Sequence, residues 1–294
     1  MTMTHAAPTL VATNSAGVIE HPGLDSNPYL IDRDGRPYVP TGDGGVVLGV
    51  ELGDSVFGFD ADSASPAVSV VHPDQPARHA LTALACLGNE VTVRTGAAAG
   101  ERGTVLGKRG EQGRVLAWFP AQVRARLIPG DAVAVRAVGQ GARLPAGLAD
   151  LGGQLLNVDP ALLARLPVTV GQNSVSVQVR AGIGSKLIGN GIGRPAHQWD
   201  LDLQVYQDTA DGHGLGGLSI GDLICVDNLD VRHNVGYRRD WSTIAVVLTT
   251  TSPRPGHGVG VMPIVCVPNS VLELDIEPQA HIGVTSQLLQ PLPG

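Results

Sequence analysis

The sequence predicts a mainly β fold with a few short helices, arranged as two β-barrel or sandwich-like halves. Three observations point there. The 39 glycines and 21 prolines are spread along all 294 residues and punctuate short apolar runs instead of gathering in one linker. The phrase Gly-Asp followed by alternating apolar residues recurs at 52–59, 129–138 and 220–228, each time reading as a tight turn that launches a strand. Aromatic residues supply only 3% of the chain, so the core has to be built from Val, Leu, Ile and Ala.

Taken in order, further strands are predicted at 45–52, 67–71, 90–94, 103–107, 114–119, 174–180, 200–206, 243–250, 259–267 and 281–285. The recurrence is too irregular for a solenoid or propeller. Two helices are predicted. Pro76 to Gly88 has proline at its start and glycine at its end, with Leu81, Leu84 and Leu87 on one face. Residues 159–167 form a second, short helix with Asp159 as N-cap. That helix links the halves, which gives an N-terminal β-rich domain over 1–165 and a C-terminal one over 166–294 that carries the candidate site.

Composition removes several functions. A net charge of −7 without a basic stripe argues against nucleic acid, and so few aromatics leave no platform for stacking bases. No run of eighteen apolar residues is present to span a bilayer, so no membrane role is expected. The amino-terminal stretch MTMTHAAPTLVATNSAG lacks the basic start and apolar block of a secretory leader. Cys86, Cys225 and Cys266 are odd in number and far apart, which is neither a disulfide framework nor a metal knuckle. A cytoplasmic location is therefore expected. Lys108 and Lys186 are the only lysines, and with abundant Ala and Gly this matches the codon bias of a GC-rich bacterial genome.

The sequence resembles a prokaryotic family catalogued as domain of unknown function 4438, over nearly the whole chain. The resemblance rests on DGRPYVP and GDGGVVLGVELGD at 34–54 and on CLGNEVTVRTGAAAGERGTVLGKRG at 86–110. It continues through IGNGIG at 188–193, DLDLQ at 200–204, LSIGDLICVDNLD at 218–230 and GHGVG at 256–260. It implies a β-rich, two-part chain and no established reaction. The family pattern carries a GDHVEP-like acidic–histidine cluster after the first Gly-Asp strand. The matching positions here are ADSASP, so Asp62 and Pro66 persist while Ser63 and Ser65 stand where His and Glu are usual. GHGPG has become GHGVG, and MGSG has become Ile188-Gly189-Asn190-Gly191. If the usual cluster binds a metal or moves protons, this chain has lost or changed that function.

Two stretches carry candidate chemistry. In GHGVG, Gly256, Gly258 and Gly260 permit close backbone approach, so amides and the His257 imidazole can converge on one ligand. An imidazole is a general acid, base or metal ligand near neutral pH. The alternative is a glycine-rich hairpin with an exposed surface-loop histidine that contributes little to the core. In WDLDLQV, strand alternation places Asp200, Asp202 and Gln204 on one face, with the aspartate Cα atoms about 7 Å apart. Such a pair suits a shared divalent cation, or one carboxyl raised by its neighbour. The alternative is a half-buried strand with a solvated polar face.

Other residues weigh less. AGIGSKLIGNGIGRP, 181–195, offers Lys186, Asn190 and Arg194 to a substrate, but matches neither a phosphate loop nor a dinucleotide fingerprint. Cys86 reads as a buried apolar residue, with His79 two turns back and out of reach; Cys225 and Cys266 read as core. His197, His213 and His233 have no zinc spacing, and Arg238 and Arg239 near Asp240 read as a solvated charge cluster.

Two readings follow. In the first, the chain is a small-molecule enzyme without an organic cofactor, with a divalent metal admitted. It carries out hydrolysis, cyclisation, isomerisation or elimination on a small polar or anionic substrate. His257, Asp200 and Asp202 are catalytic, and Gly256, Gly258, Gly260, Gln204, Asn190 and Lys186 bind substrate. The changed ADSASP segment would then mark adaptation to a new substrate, as in specialised metabolism. In the second, the chain is a non-catalytic β-barrel protein that binds a metabolite or builds a homo-oligomer.

Overall fold

The structure, a computed structural model, describes residues 9–23 and 29–290. Residues 1–8 of the amino-terminal stretch MTMTHAAPTLVATNSAG lie outside them. Six antiparallel strands of the first half close into a barrel. In barrel order they are Thr13–Ile19, Val68–Val71, Arg114–Trp118, Arg102–Arg109, Glu90–Val93 and Ala132–Ala137, and the last pairs back onto the first from Thr13↔Ala137 to Val18↔Ala132. Each strand points every second side chain inward, and the filling is β-branched: Val68, Val70, Val91, Val93, Val105, Val115, Val133 and Val135 are all buried together. Leu81 and Ala85 of the first helical segment pack against this filling.

The second half has a larger sheet in the order Ala181–Gly184, Leu223–Asp230, Gly236–Val247, Val259–Pro268, Leu201–Leu203. Gln154–Leu155, from before the short helix, which covers only Pro160–Leu163, also pairs with Val259–Pro268. Val168–Val170, Val175–Val179 and Leu272–Ile276 form a three-stranded sheet. Besides the barrel's own filling, the halves share a core. Leu106, Leu116 and Trp118 on the barrel's outer surface are buried in one cluster with Leu223, Ile244, Val246, Leu248 and Met262. Leu289 joins that cluster, and the barrel's Thr104 Oγ1 donates to the Leu289 carbonyl at 2.6 Å. No helix among the described residues is long and apolar enough to cross a membrane.

The mainly β class holds, with local corrections. Residues 45–59 are not strands; they make only single bridges at Val46 and Ser55. Glycines at positive φ (Gly45, Gly49, Gly53, Gly58) keep re-aiming this segment, so it bends instead of extending, with Gly53 and Val56 N–H donating to the Ile220 and Leu218 carbonyls. The 281–285 segment makes one bridge, Asp222↔Gly283, and the stretch at 181–195 opens with a real strand. The first helix stops at Leu84, which is exposed, and Leu87 lies beyond it. Leu87 is extended because its N–H and C=O pair with the backbone of Asn157 and Asp159, which a helical turn would forbid.

The Gly-Asp phrase encodes one turn three times. Gly53, Gly130 and Gly221 adopt φ of 91°, 94° and 99°, and the following Asp54, Asp131 and Asp222 each accept the N–H of the residue three before. Only the second and third of these turns launch strands.

Candidate active site

The short strand Leu201–Leu203 carries Asp202, with Asp200 directly before it. It lies between segment 188–190 and the start of Val259–Pro268: Gly189 N–H donates to the Asp202 carbonyl, Asp202 N–H donates to the Asn190 carbonyl, and Asp202 pairs with Gly260. The two glycines nearest this pairing are required by closeness. A Cβ on Gly258 would sit 1.7 Å from the Leu203 carbonyl oxygen, and one on Gly260 would crowd Thr249 Oγ1 at 2.9 Å and Asp200 Oδ2 at 3.3 Å. The chain can therefore bring His257 back over the strand. Its Nδ1 lies 3.0 Å from Asp202 Oδ2.

This corrects both bland expectations. Asp200, Asp202 and His257 retain only 7, 3 and 8% of their exposure, so the aspartates do not face solvent and His257 is no surface-loop residue. Sequence alternation failed here because the strand is covered on both faces, Leu201 and Leu203 by apolar core and the aspartates by the barrel. Gln204 and Lys186 behave differently: both are exposed, and Lys186 stands on the turn at 185–187. Asn190 and Gly256 touch the site through backbone, the Asn190 N–H donating to the Gly256 carbonyl.

The cover comes from the first half. The hairpin tip after Arg102–Arg109 inserts Gly110, whose N–H donates to Asp200 Oδ1 at 3.0 Å. Arg109 beside it is buried and bonds Asp43 Oδ1 at 2.8 Å; Arg114 reaches the same oxygen at 2.6 Å and also holds Glu20. Burial works to discharge Arg109, but the carboxylates of Asp43, Asp200, Asp202 and Asp62 outweigh it and hold its pKa above the ordinary value. Burial, reinforced by Asp202, pushes the Asp200 carboxyl from 3.8 up to about 7 against the opposing pull of Arg109 and the Gly110 amide.

The diverged ADSASP segment lies in the same junction. The Ala64 and Thr250 backbones, the Thr250 hydroxyl and the Ser65 hydroxyl stitch 64–65 to 248–250. Asp62 accepts from Tyr38 Oη at 2.8 Å, and burial together with Asp62 raises the Tyr38 phenol far above its usual value. Ser63 is buried, and its Oγ lies 3.4 Å from Asp62 Oδ1 and 3.5 Å from the Gly258 carbonyl oxygen.

Arg109, Asp43 and Tyr38 are not singled out as site residues by sequence, whereas Ser63 falls in the diverged ADSASP segment. Arg109 reads as part of a charged turn, and Asp43 lies inside the glycine-dense GDGG. Among the described residues, no three His, Cys, Asp or Glu side chains converge to hold a metal. Instead each carboxylate meets its own partner: Asp202 the imidazole, Asp62 the phenol, Asp43 two guanidinium groups. The remaining candidates stand apart. Burial raises the thiols of Cys86, Cys225 and Cys266 to about 11, and His213, His233, Arg238 and Arg239 are exposed.

Fold and site together define a β-rich protein in which a barrel and a second sheet system close over a buried acidic–histidine cluster. The chain belongs to the DUF4438 family: the model described as domain of unknown function (DUF4438), N-terminal, matches residues 29–164, and its C-terminal counterpart matches 165–285. Among solved structures, the crystal structure of TM1086 is similar at 31% identity and a TM-score of 0.86, covering 92% of this chain and 95% of that one. A comparison with curated proteins finds no match.

Proposed function

We propose that this chain is a small-molecule enzyme that works by proton transfer and needs no organic cofactor. One observation carries the reading. A single buried site holds an imidazole oriented by a carboxylate, His257 on Asp202 at 3.0 Å, beside a second carboxyl, Asp200, pushed up to about 7. An oriented base next to a carboxyl that still carries its proton near neutrality is the equipment of acid–base catalysis. Hydrolysis, cyclisation, isomerisation and elimination of a small polar or anionic substrate all draw on it.

The test is turnover of a panel of small hydroxy acids, lactones, esters and amides by wild-type protein, His257→Gln and Asp202→Asn. Turnover lost in both variants, with folding intact by circular dichroism, supports the reading. Turnover that survives His257→Gln overturns it. A second reading, plain metabolite binding, draws support from the way each carboxylate in the junction has a protein partner, as in a structural network. Ligand-induced thermal stabilisation without turnover selects that reading.

A further inference from the structure

Two-residue alternation puts Leu272, Leu274 and Ile276 on one face of the strand Leu272–Ile276. All three line a wedge of about 510 Å³, together with Asp227 and Ser242 of the larger sheet and Asn269 just after it. Leu274 and Ile276 keep 40 and 47% of their exposure, an apolar row without its cover. Two glycines of the strand Ala181–Gly184 also line the wedge and shape it. A Cβ on Gly182 would lie 3.1 Å from Ile276 Cδ1, whereas one on Gly184 would meet only Lys186 Cγ, at 3.9 Å. The space is therefore narrow at Gly182 and widens towards Gly184.

The polar wall carries a charge without a counterion. Asp227 pairs with Gly184 in the parallel ladder, which sets its carboxylate at the wide end. Its Oδ1 accepts from Asn269 Nδ2 at 2.9 Å and its Oδ2 from Asn228 Nδ2 at 2.7 Å, both neutral donors. Among the described residues no Lys, Arg or His forms an ion pair with it. Ser242 Oγ lies 3.4 Å from the same carboxylate but only 2.8 Å from Asn269 Oδ1, where its hydrogen is spent. The corner thus offers an incoming group negative charge and oxygen lone pairs. The sheet register breaks directly after Asp227. Asp227 pairs with Ser242, but Leu229 pairs with Tyr237, so residues 238–241 stand opposite Asn228 alone, which takes φ of 58°. Bulges of this kind re-aim side chains and gather beside binding sites.

We propose that this wedge binds a primary amine with an apolar body, its ammonium on Asp227 and Ser242 Oγ and its body along Leu272, Leu274 and Ile276. Charge and shape select that class together. An ammonium supplies the positive charge that Asp227 lacks, through hydrogen bonds to an ionised acceptor, which are the strong kind. A carboxylate or phosphate would meet Asp227 as a like charge. A small polar cation would leave Leu274 and Ile276 as exposed as before, and a plain hydrocarbon would leave Asp227 without a counterion. The volume lies within the range of about 300–1,000 Å³ usual for small-molecule sites. None of these residues belongs to the buried acidic–histidine cluster, so the assignment stands whether or not that cluster turns a substrate over.

Isothermal titration of the full chain at neutral pH with hexylamine, hexan-1-ol and hexanoate tests it. Hexylamine is expected to bind, hexan-1-ol about 10-fold more weakly or worse, and hexanoate not at all, the step between amine and alcohol being that of a hydrogen bond to a charged group. Asp227→Asn keeps the size of the side chain and removes its charge, and should weaken hexylamine about 10-fold or more, to the level of the alcohol. Gly184→Val places a side chain in the open end and should block amine and alcohol alike, with the melting temperature close to that of wild type. Absence of hexylamine binding by the wild-type chain overturns the proposal, and so does hexylamine binding that is unchanged in either variant. Equal affinity for amine and alcohol also overturns it, because Asp227 would then have no part in recognition.

Discussion

Replacing Asp200 by Asn changes how stability depends on pH, and the structure fixes the direction. Its carboxyl rises from 3.8 to about 7 because burial, then the Asp202 charge, destabilises the ionised form. In the unfolded chain the same group loses its proton near 4, while in the folded protein it keeps it up to about 7. Unfolding therefore releases a proton in that window, and stability falls as pH rises from about 4 to about 7 and levels above. At about 1.4 kcal/mol per tenfold, the full window amounts to about 4 kcal/mol, an upper figure because Asp202 shares the titration. Asn keeps an acceptor for the Gly110 N–H and has no proton to lose. Urea unfolding at half-unit steps from pH 4 to 8 should show Asp200→Asn gaining on wild type by roughly 2–4 kcal/mol across the series. A flat difference curve would mean that the folded protein carries Asp200 ionised throughout, and its role as the acid would go.

Three further outcomes follow from local geometry. Ser63→Gly should raise stability by about 1 kcal/mol in urea, since glycine takes positive φ without strain; an equal loss would mean the serine's long hydrogen bonds outweigh its backbone cost. Gly258→Ala should cost several kcal/mol or prevent folding, as its methyl would overlap the Leu203 carbonyl; a melting temperature within a few degrees of wild type refutes that packing. Burial lowers Lys108 to about 8, with its Nζ on Asn157 Oδ1 at 3.0 Å and the His197 carbonyl at 2.8 Å. The folded protein then releases a proton before the unfolded chain does, so stability should rise between about pH 8 and 10.5. Lys108→Met should abolish that rise, and an unchanged slope by urea unfolding disposes of the assignment.

The sequence made the local turns legible and left hidden what meets across the halves. The Gly-Asp turns, the Asp159 cap and most barrel strands are readable because their causes sit within a few residues: a glycine at positive φ, an aspartate accepting a nearby amide, a two-residue alternation. His257 and the DLDLQ pair were also within reach, as a glycine-flanked imidazole and two carboxylates on one strand face. Their burial was not, because it depends on a barrel hairpin contributed from 90 residues away, Gly110 onto Asp200. Arg109 and Asp43 went unnoticed for the same reason: a charged residue in a turn looks solvated until its partner, 66 positions off, is placed beside it. Gln204 shows the opposite error, a residue in register with the aspartates that the end of the strand leaves outside.

The burial of Leu289 in the core shared by both halves has a consequence for how the chain is made. A ribosome delivers residues in order, and the barrel has all six of its strands once Ala137 has emerged. The core that buries its outer apolar surface, Leu106, Leu116 and Trp118, then still lacks Leu223, Ile244, Val246, Leu248 and Met262, and Leu289 arrives last of all. At about 5–20 residues per second, that leaves an apolar face without its cover for several seconds or more in every round of synthesis. A message cut short before Leu289 should therefore yield a product that aggregates although every barrel strand is present.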